Sequence, residues 1–195
     1  MLLIAATHNQ GKVRELQAIL GELGYEVITQ EAAGISVSPV EDADSFEGNA
    51  LIKARAVAEL CKEAVIADDS GLCVDALGGA PGVYSARYAG ENATDEENNQ
   101  KLLAELSGIE NRAAKYVAAL VLILPDGREF VERGEVCGQI LKTEEGTGGF
   151  GYDPLFFSDE LKMSFGVATP EAKNAISHRG RALQKVYQKL KEEME

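Results

Sequence analysis

The sequence predicts an α/β fold with a mixed sheet. Two observations carry that reading. Short apolar runs of strand length alternate with longer stretches whose apolar residues recur every three or four positions, the order that favours parallel strands joined by helices. A later pair of runs flanks Pro125-Asp126-Gly127, a hairpin signature that adds antiparallel strands to the sheet.

Taken in order, residues 1–6 read as a first buried strand leading into the polar loop Thr7-His8-Asn9-Gln10-Gly11-Lys12. A helix follows, with Val13, Leu16, Ile19, Leu20 and Leu23 on one face and Gly24 as its stop. Residues 26–29 form a second strand. A second helix spans residues 45–63 and buries Phe46, Ala50, Ala54, Val57 and Cys61. Residues 64–67 form a short buried strand ending at Asp68-Asp69-Ser70-Gly71. Another strand covers 72–76, and a glycine-rich loop covers 77–90. Thr94 and Glu97 make a capping box for a helix running to about Leu106. The hairpin arms are 114–124 and 128–141, with bulges or bends expected at Gly134 and Gly138. A loop over 143–154 holds four glycines, and an amphipathic helix carrying Leu183, Val186, Tyr187 and Leu190 closes the chain. No repeat or linker marks a boundary, so residues 1–195 read as a single domain.

Composition removes several classes of function. The 195 residues carry 19 basic and 32 acidic side chains, a net charge of -13, which disfavours nucleic acid polymers and anionic membranes as partners. The longest apolar run, residues 117–124, is far short of the ~20 residues that cross a bilayer. The N-terminus lacks the basic segment of a signal peptide, which places the expected compartment in the cytoplasm. Three cysteines without C-x-x-C spacing and two histidines supply neither a disulfide framework nor a zinc site. A bound metal would sit on carboxylate oxygens, which points to magnesium or manganese.

Four polar segments could carry chemistry. The strand–loop–helix start, with Lys12 at the first helical turn, has the layout of an anion site, although Asn9 and Thr7 serve equally as helix caps. Adjacent Asp68 and Asp69 at the end of a buried strand lie where α/β folds bind ligands, one directed at a cleft and the other into the supporting structure; a plain D-S-G turn is the alternative. Glu41, Asp42, Asp44 and Glu47 flank a helix start, where acidic residues are common for dipole reasons alone. The glycines of Thr147-Gly148-Gly149-Phe150-Gly151-Tyr152-Asp153-Pro154 admit a flat ligand, and Phe150 and Tyr152 offer stacking faces.

Together these segments resemble the inosine triphosphate pyrophosphatase family of XTP/dITP diphosphatases. The matching stretches are Ala5-Ala6-Thr7-His8-Asn9-Gln10-Gly11-Lys12, Ser45-Phe46-Glu47-Gly48-Asn49-Ala50, Ala67-Asp68-Asp69-Ser70-Gly71-Leu72, the run from Gly78 to Tyr88, Gly148-Gly149-Phe150-Gly151-Tyr152-Asp153-Pro154 and Ile176-Ser177-His178-Arg179. They fall in the family's order along nearly the whole chain. The resemblance implies an elongated twisted sheet, two lobes around a central cleft, and a homodimer. It also implies magnesium-dependent hydrolysis of ITP, dITP and XTP to the nucleoside monophosphate and pyrophosphate. Carried over by position, Thr7, His8, Asn9, Gln10, Gly11 and Lys12 would hold the triphosphate, with Lys53 reaching it from the second helix. Glu41 and Asp69 would engage magnesium, Asp69 would also activate water, and Asp68 would support it. Ser70 would touch substrate. Phe150, Gly151, Tyr152, Asp153, Lys173, His178 and Arg179 would form the base pocket, with Gly151 amides, Lys173, His178 or Arg179 donating to the base and Asp153 accepting. Many relatives carry a second acidic residue where this chain has Gly48, so Glu47 stays outside the expected ligand set. The competing readings are a related pyrophosphatase for other modified or pyrimidine nucleotides and a nucleotide-binding protein without hydrolytic activity.

Overall fold

The computed structural model describes residues 1–194. The elements are β1 (Leu2–Ala5), α1 (Gln10–Leu20), β2 (Glu26–Thr29), α2 (Phe46–Ala58), β3 (Ala64–Val74), α3 (Asp95–Glu105), β4 (Ala113–Ile123), β5 (Glu129–Ile140), β6 (Phe156–Ser158), β7 (Met163–Ser164), α4 (Pro170–Ile176) and α5 (His178–Met194). The strands form one sheet in the order β2-β1-β3-β4-β5-β6-β7. β1 runs parallel to β2 and to β3, whereas β5/β6 and β6/β7 are antiparallel, so the sheet is mixed as expected.

The chain divides into two compact units. The first holds residues 1–69, 118–134 and the chain from Arg179 onward; the second holds 70–117 and 135–178. In the first, Leu3, Ala5, Ile66, Leu120 and Leu122 of the sheet pack with Val13, Leu16 and Leu20 of α1 and Ala182, Leu183, Val186 and Leu190 of α5. The apolar period read from the sequence is therefore the buried stripe of both helices. In the second, Leu72, Val74, Tyr116, Val136 and Ile140 pack with Leu102 and Leu106 of α3 and with Tyr152, Leu155, Phe156 and Phe165.

Several boundaries differ from expectation. The two strands expected around Asp68-Asp69-Ser70-Gly71 are one continuous strand, β3, and Gly71 takes no positive φ. α2 stops at Ala58 rather than near 63, because Leu60 is exposed and Cys61 is only half-buried, so the stripe ends before the chain turns into β3. The glycine-rich segment contains a 3-10 turn over Gly82–Arg87, and β6, β7 and α4 follow the Gly146–Gly151 loop, where no element was expected. These three are too short to show a period. Gly138 makes no positive-φ bend. It lies where β6 crosses closely, and a Cβ there would meet the Phe157 carbonyl oxygen at 2.2 Å and the Phe156 ring at 2.7 Å.

Gly138→Ala is therefore expected to push β6 away from β5 and lower stability by about 1–3 kcal/mol. Urea unfolding of the two proteins measures this, and equal midpoints at equal slope would show that β6 yields without cost.

Candidate active site

Strand alternation in β3 divides the two aspartates. Asp68 shares a face with Ile66 and meets α1 and α5, whereas Asp69 meets α2. The expectation of one cleft-directed and one supporting carboxylate thus becomes two separate polar clusters.

Asp68 is 2% exposed. Its Oδ1 pairs with Lys12 Nζ, which also donates to the Asp68 carbonyl at 3.3 Å, and its Oδ2 accepts from Arg179 Nε at 2.8 Å. Arg179 Nη1 reaches Glu15 at 2.5 Å. Burial works against the Asp68 carboxylate, yet Arg179 and Lys12 outweigh it and hold its pKa well below the usual carboxylate range. Arg179 is likewise buried, and Asp68 and Glu15 raise its pKa in spite of that burial. Burial lowers Lys12 by more than Asp68 raises it.

Asp69 Oδ1 accepts from Lys53 Nζ at 2.9 Å, and the same ammonium donates to Glu41 Oε2 at 2.8 Å. The remaining oxygen, Asp69 Oδ2, is buried without a hydrogen-bond partner. Burial raises the Asp69 pKa even though Lys53 opposes it, whereas Lys53 is raised because Asp69 and Glu41 outweigh its own burial. Glu41 is placed by its loop. Asn49, buried in α2, accepts from the Ala43 amide at 3.0 Å, and Ser45 caps the helix by accepting from Gly48 N. A Cβ on Gly48 would meet the Ala43 Cβ at 2.6 Å, so in this chain a side chain there would displace the loop. Glu47 turns instead to Arg133 at 2.8 Å.

The expected phosphate loop is largely the first turn of α1. Asn9 is its N-cap, accepting from Gly11 N and Lys12 N, while Thr7 Oγ1 accepts from Asn9 N and Thr7 N donates to Ala5 O. Four amides of the segment thus donate within the chain; the capping alternative describes Asn9, whereas Thr7 holds the N-cap residue rather than the helix's first turn. His8 and Gln10 are exposed, His8 against Glu31.

The remaining expected residues belong to the second unit, where Ser70 is a half-buried residue of β3. Lys173, 6% exposed in α4, pairs with Asp153 Oδ2 at 2.7 Å and lies 4.8 Å from the Phe150 ring centre. Asp153 Oδ2 also accepts from Phe150 N. The Gly151 amide, expected to face a base, donates to Asp95 Oδ2 at 2.7 Å. Tyr152 is buried and donates to the Ser85 carbonyl, so it offers no exposed stacking face. His178 stacks on Tyr116, centres 4.7 Å apart and 10° from parallel. Of these partners, Glu15, Asp95 and Tyr116 carry no motif that marks them. Ser85 lies within the family-like Gly78–Tyr88 run, but nothing there shows that it holds Tyr152.

The model of the Ham1 family matches residues 3–189. The chain belongs to the Ham1 family. It is 50% identical over 183 residues to a protein of Geobacter sulfurreducens named dITP/XTP pyrophosphatase, covering 93% of this chain and 92% of that one. A Clostridium tetani protein of the same name is 46% identical over 195 residues, with 98% and 97% covered. The solved Ham1 protein of Staphylococcus aureus superposes with a TM-score of 0.90 at 39% identity, covering 99% of this chain and all of that one. No helix among the described residues is long and apolar enough to cross a membrane.

Arg179→Met tests the Asp68 cluster. It leaves a buried carboxylate with one cation fewer and is expected to cost about 3–5 kcal/mol of stability. Chemical denaturation measures the loss, and a change under 1 kcal/mol would mean that Lys12 alone satisfies Asp68.

Proposed function

We infer that this chain is a nucleoside triphosphate pyrophosphatase that hydrolyses dITP, XTP and ITP to the monophosphate and pyrophosphate. Membership of the Ham1 family and the names of its full-length relatives support the reaction class. The observation that carries the chemistry is Asp69 Oδ2, a buried carboxylate oxygen without a partner beside a lysine and a second carboxylate.

Magnesium fits this cluster. Among the described residues no three His, Cys, Asp or Glu side chains group as a complete metal site. Mg²⁺ is usually held by one or two carboxylates, with substrate phosphates and water completing its shell. Glu41 and Asp69 are the residues that would hold it; manganese suits the same oxygens. When bound, the ion supplies counter-charge to the phosphate oxygens.

The chain's own groups perform the rest. Water adds its oxygen to phosphorus, the α–β bridging P–O bond breaks, and Asp69 takes the water proton at Oδ2. The raised pKa of Asp69 suits that role. Lys53 keeps Asp69 and Glu41 in place and adds positive charge where the phosphates lie. Lys12 contributes a second ammonium, set in position by Asp68. Asp68 and Arg179 act as positioning residues, Arg179 through Asp68 rather than through the base. No Ser-His-Asp or Cys-His group is needed, because the attack is by water. In the second unit Phe150 offers a face to a base, and Lys173, held by Asp153, is the donor suited to an oxygen at purine C6. The homodimer and the cytoplasmic compartment belong to the same reading.

The deciding assay is pyrophosphate release from ITP, dITP, XTP and ATP with and without magnesium. Turnover is expected to vanish with chelator and return with added magnesium. Asp69→Asn keeps the shape but neither accepts the proton nor binds the ion well, so turnover should fall by at least ~10²–10⁴-fold; retention of a tenth of the wild-type rate would dismiss Asp69 as base. ITP should exceed ATP in kcat/KM by roughly 10²–10⁴-fold, the scale of two mismatched polar contacts. Comparable rates would remove the base-recognition reading, and binding without pyrophosphate release would indicate a sensor.

A further inference from the structure

Backbone bonds hold the loop that carries Phe150 on its β7 side, from Glu145 N to Pro154 O and from Gly148 N to Gly166 O at 2.8 Å each, but its tip must be held from elsewhere. Gly146, Gly149 and Gly151 take φ of +81°, +76° and +61°, conformations open to glycine and costly for other residues. An open cavity of about 440 Å³, lined in part by Gln100, Leu103, Glu144, Thr147 and Gly148, borders the loop on its α3 side. Close packing therefore does not fix the loop there.

Two side chains of α3 do. Asp95 Oδ2 accepts from the Gly151 amide at 2.7 Å, and Asn99 Nδ2 donates to the Gly151 carbonyl at 3.3 Å. Both polar groups of this one peptide residue are thus held from residues i and i+4 of one helix face. Asn99 Nδ2 also donates to Glu144 at 3.0 Å, which ties the start of the loop to its tip. The scaffold beneath is firm. Thr94 and Glu97 form a reciprocal capping box, Leu102 and Leu106 lie in the core, and Asn98 bonds Ala89 N and Ala86 O. Asn99 is 4% exposed, and its Oδ1 is buried without a hydrogen-bond partner. Turning the amide over would set that oxygen against the Glu144 carboxylate and the Gly151 carbonyl, so its orientation is determined by its two donor contacts. An orphaned buried acceptor carries a cost, and retaining it is understandable where the donors have a task.

We propose that Asp95 and Asn99 are positioning residues for base recognition: they clamp Gly151 and thereby aim Phe150 and Asp153 on either side of it. The proposal rests on the reading of the Phe150 loop as the base-binding segment. Phe150 N is bonded to Asp153, and Tyr152 is anchored on Ser85, so a turn of the Gly151 peptide moves the aromatic face and the Lys173 partner together.

The test compares Asp95→Ala, Asn99→Ala, Asp95→Asn and Asn99→Asp in kcat and KM for ITP and ATP, with exchange of the Gly151 amide measured by NMR. Both alanine variants are expected to raise KM for ITP about tenfold and to lower the ITP/ATP ratio of kcat/KM by a similar factor. The kcat for ITP should stay within about twofold, a split that general destabilisation would not produce. Asp95→Asn retains an acceptor and should recover most of the loss. Asn99→Asp replaces the donor by a carboxylate facing Gly151 O and should match or exceed the alanine effect. These two isosteric variants decide the matter even if truncation unfolds the chain. Wild-type KM and ratio in Asn99→Asp, or unchanged Gly151 amide exchange in a folded Asp95→Ala, would overturn the clamp. A wild-type enzyme indifferent to ITP and ATP would instead overturn the base-recognition reading, and the amide exchange would still report the clamp by itself.

Discussion

A carboxylate buried in the middle of β3 organises the first unit. Asp68 could not stay ionised there unaided, because desolvation of a lone charge costs several kcal/mol. Lys12 and Arg179 make it possible, and each needs the carboxylate in return. Lys12 lies in the first turn of α1 and Arg179 in the first turn of α5, the positive ends of both helix dipoles, where a cation is disfavoured and an anion favoured. A single carboxylate at that point suits both dipoles and both cations. Glu15, one turn beyond Lys12, completes the charge balance on Arg179.

The same strand gives its next residue a different environment. Asp69 sits on the opposite face, where Lys53 answers one carboxylate oxygen and leaves the other buried and unanswered. The two adjacent carboxyls are driven in opposite directions: Arg179 and Lys12 overcome burial and hold Asp68 low, while burial raises Asp69 against the pull of Lys53. A one-residue slip of β3 would exchange these environments, so the register of the strand decides which aspartate meets which cations.

The second unit follows another logic. Its core is apolar and aromatic, with Tyr116, Phe156 and Phe165 in mutual contact, but the glycine-rich segment projecting from it is held by polar side chains. Asp153, Asp95, Asn99 and Ser85 each satisfy a partner in the run from Phe150 to Tyr152. Glycines let the backbone come close to a flat ligand, and the surrounding bonds recover the order that glycine forgoes.

Much of this was legible in one dimension. The α/β class, the stripes of α1 and α5, the capping box at Thr94, the stop at Gly24 and the turn at Gly127 follow from local rules of period and backbone freedom, and the structure contains each. Asp68 and Asp69 stand out in the sequence as paired carboxylates after a buried strand, whereas Glu41 and Lys53 lie outside the motif stretches and only the structure brings them to Asp69. Local rules failed at Asp68-Asp69-Ser70-Gly71, where a turn-like composition lies inside an unbroken strand because its neighbours supply hydrogen bonds and counter-charges. They failed too for Arg179, whose place beside Asp68, 111 residues earlier, has no local signature. By itself the sequence determined which segments become helices and strands and which carry charge, because period and propensity act over a few residues. Only the tertiary structure decided which charge answers which, because desolvation and ion pairing depend on what is close in space, and there Asp68 meets Arg179 while Gly151 meets Asp95.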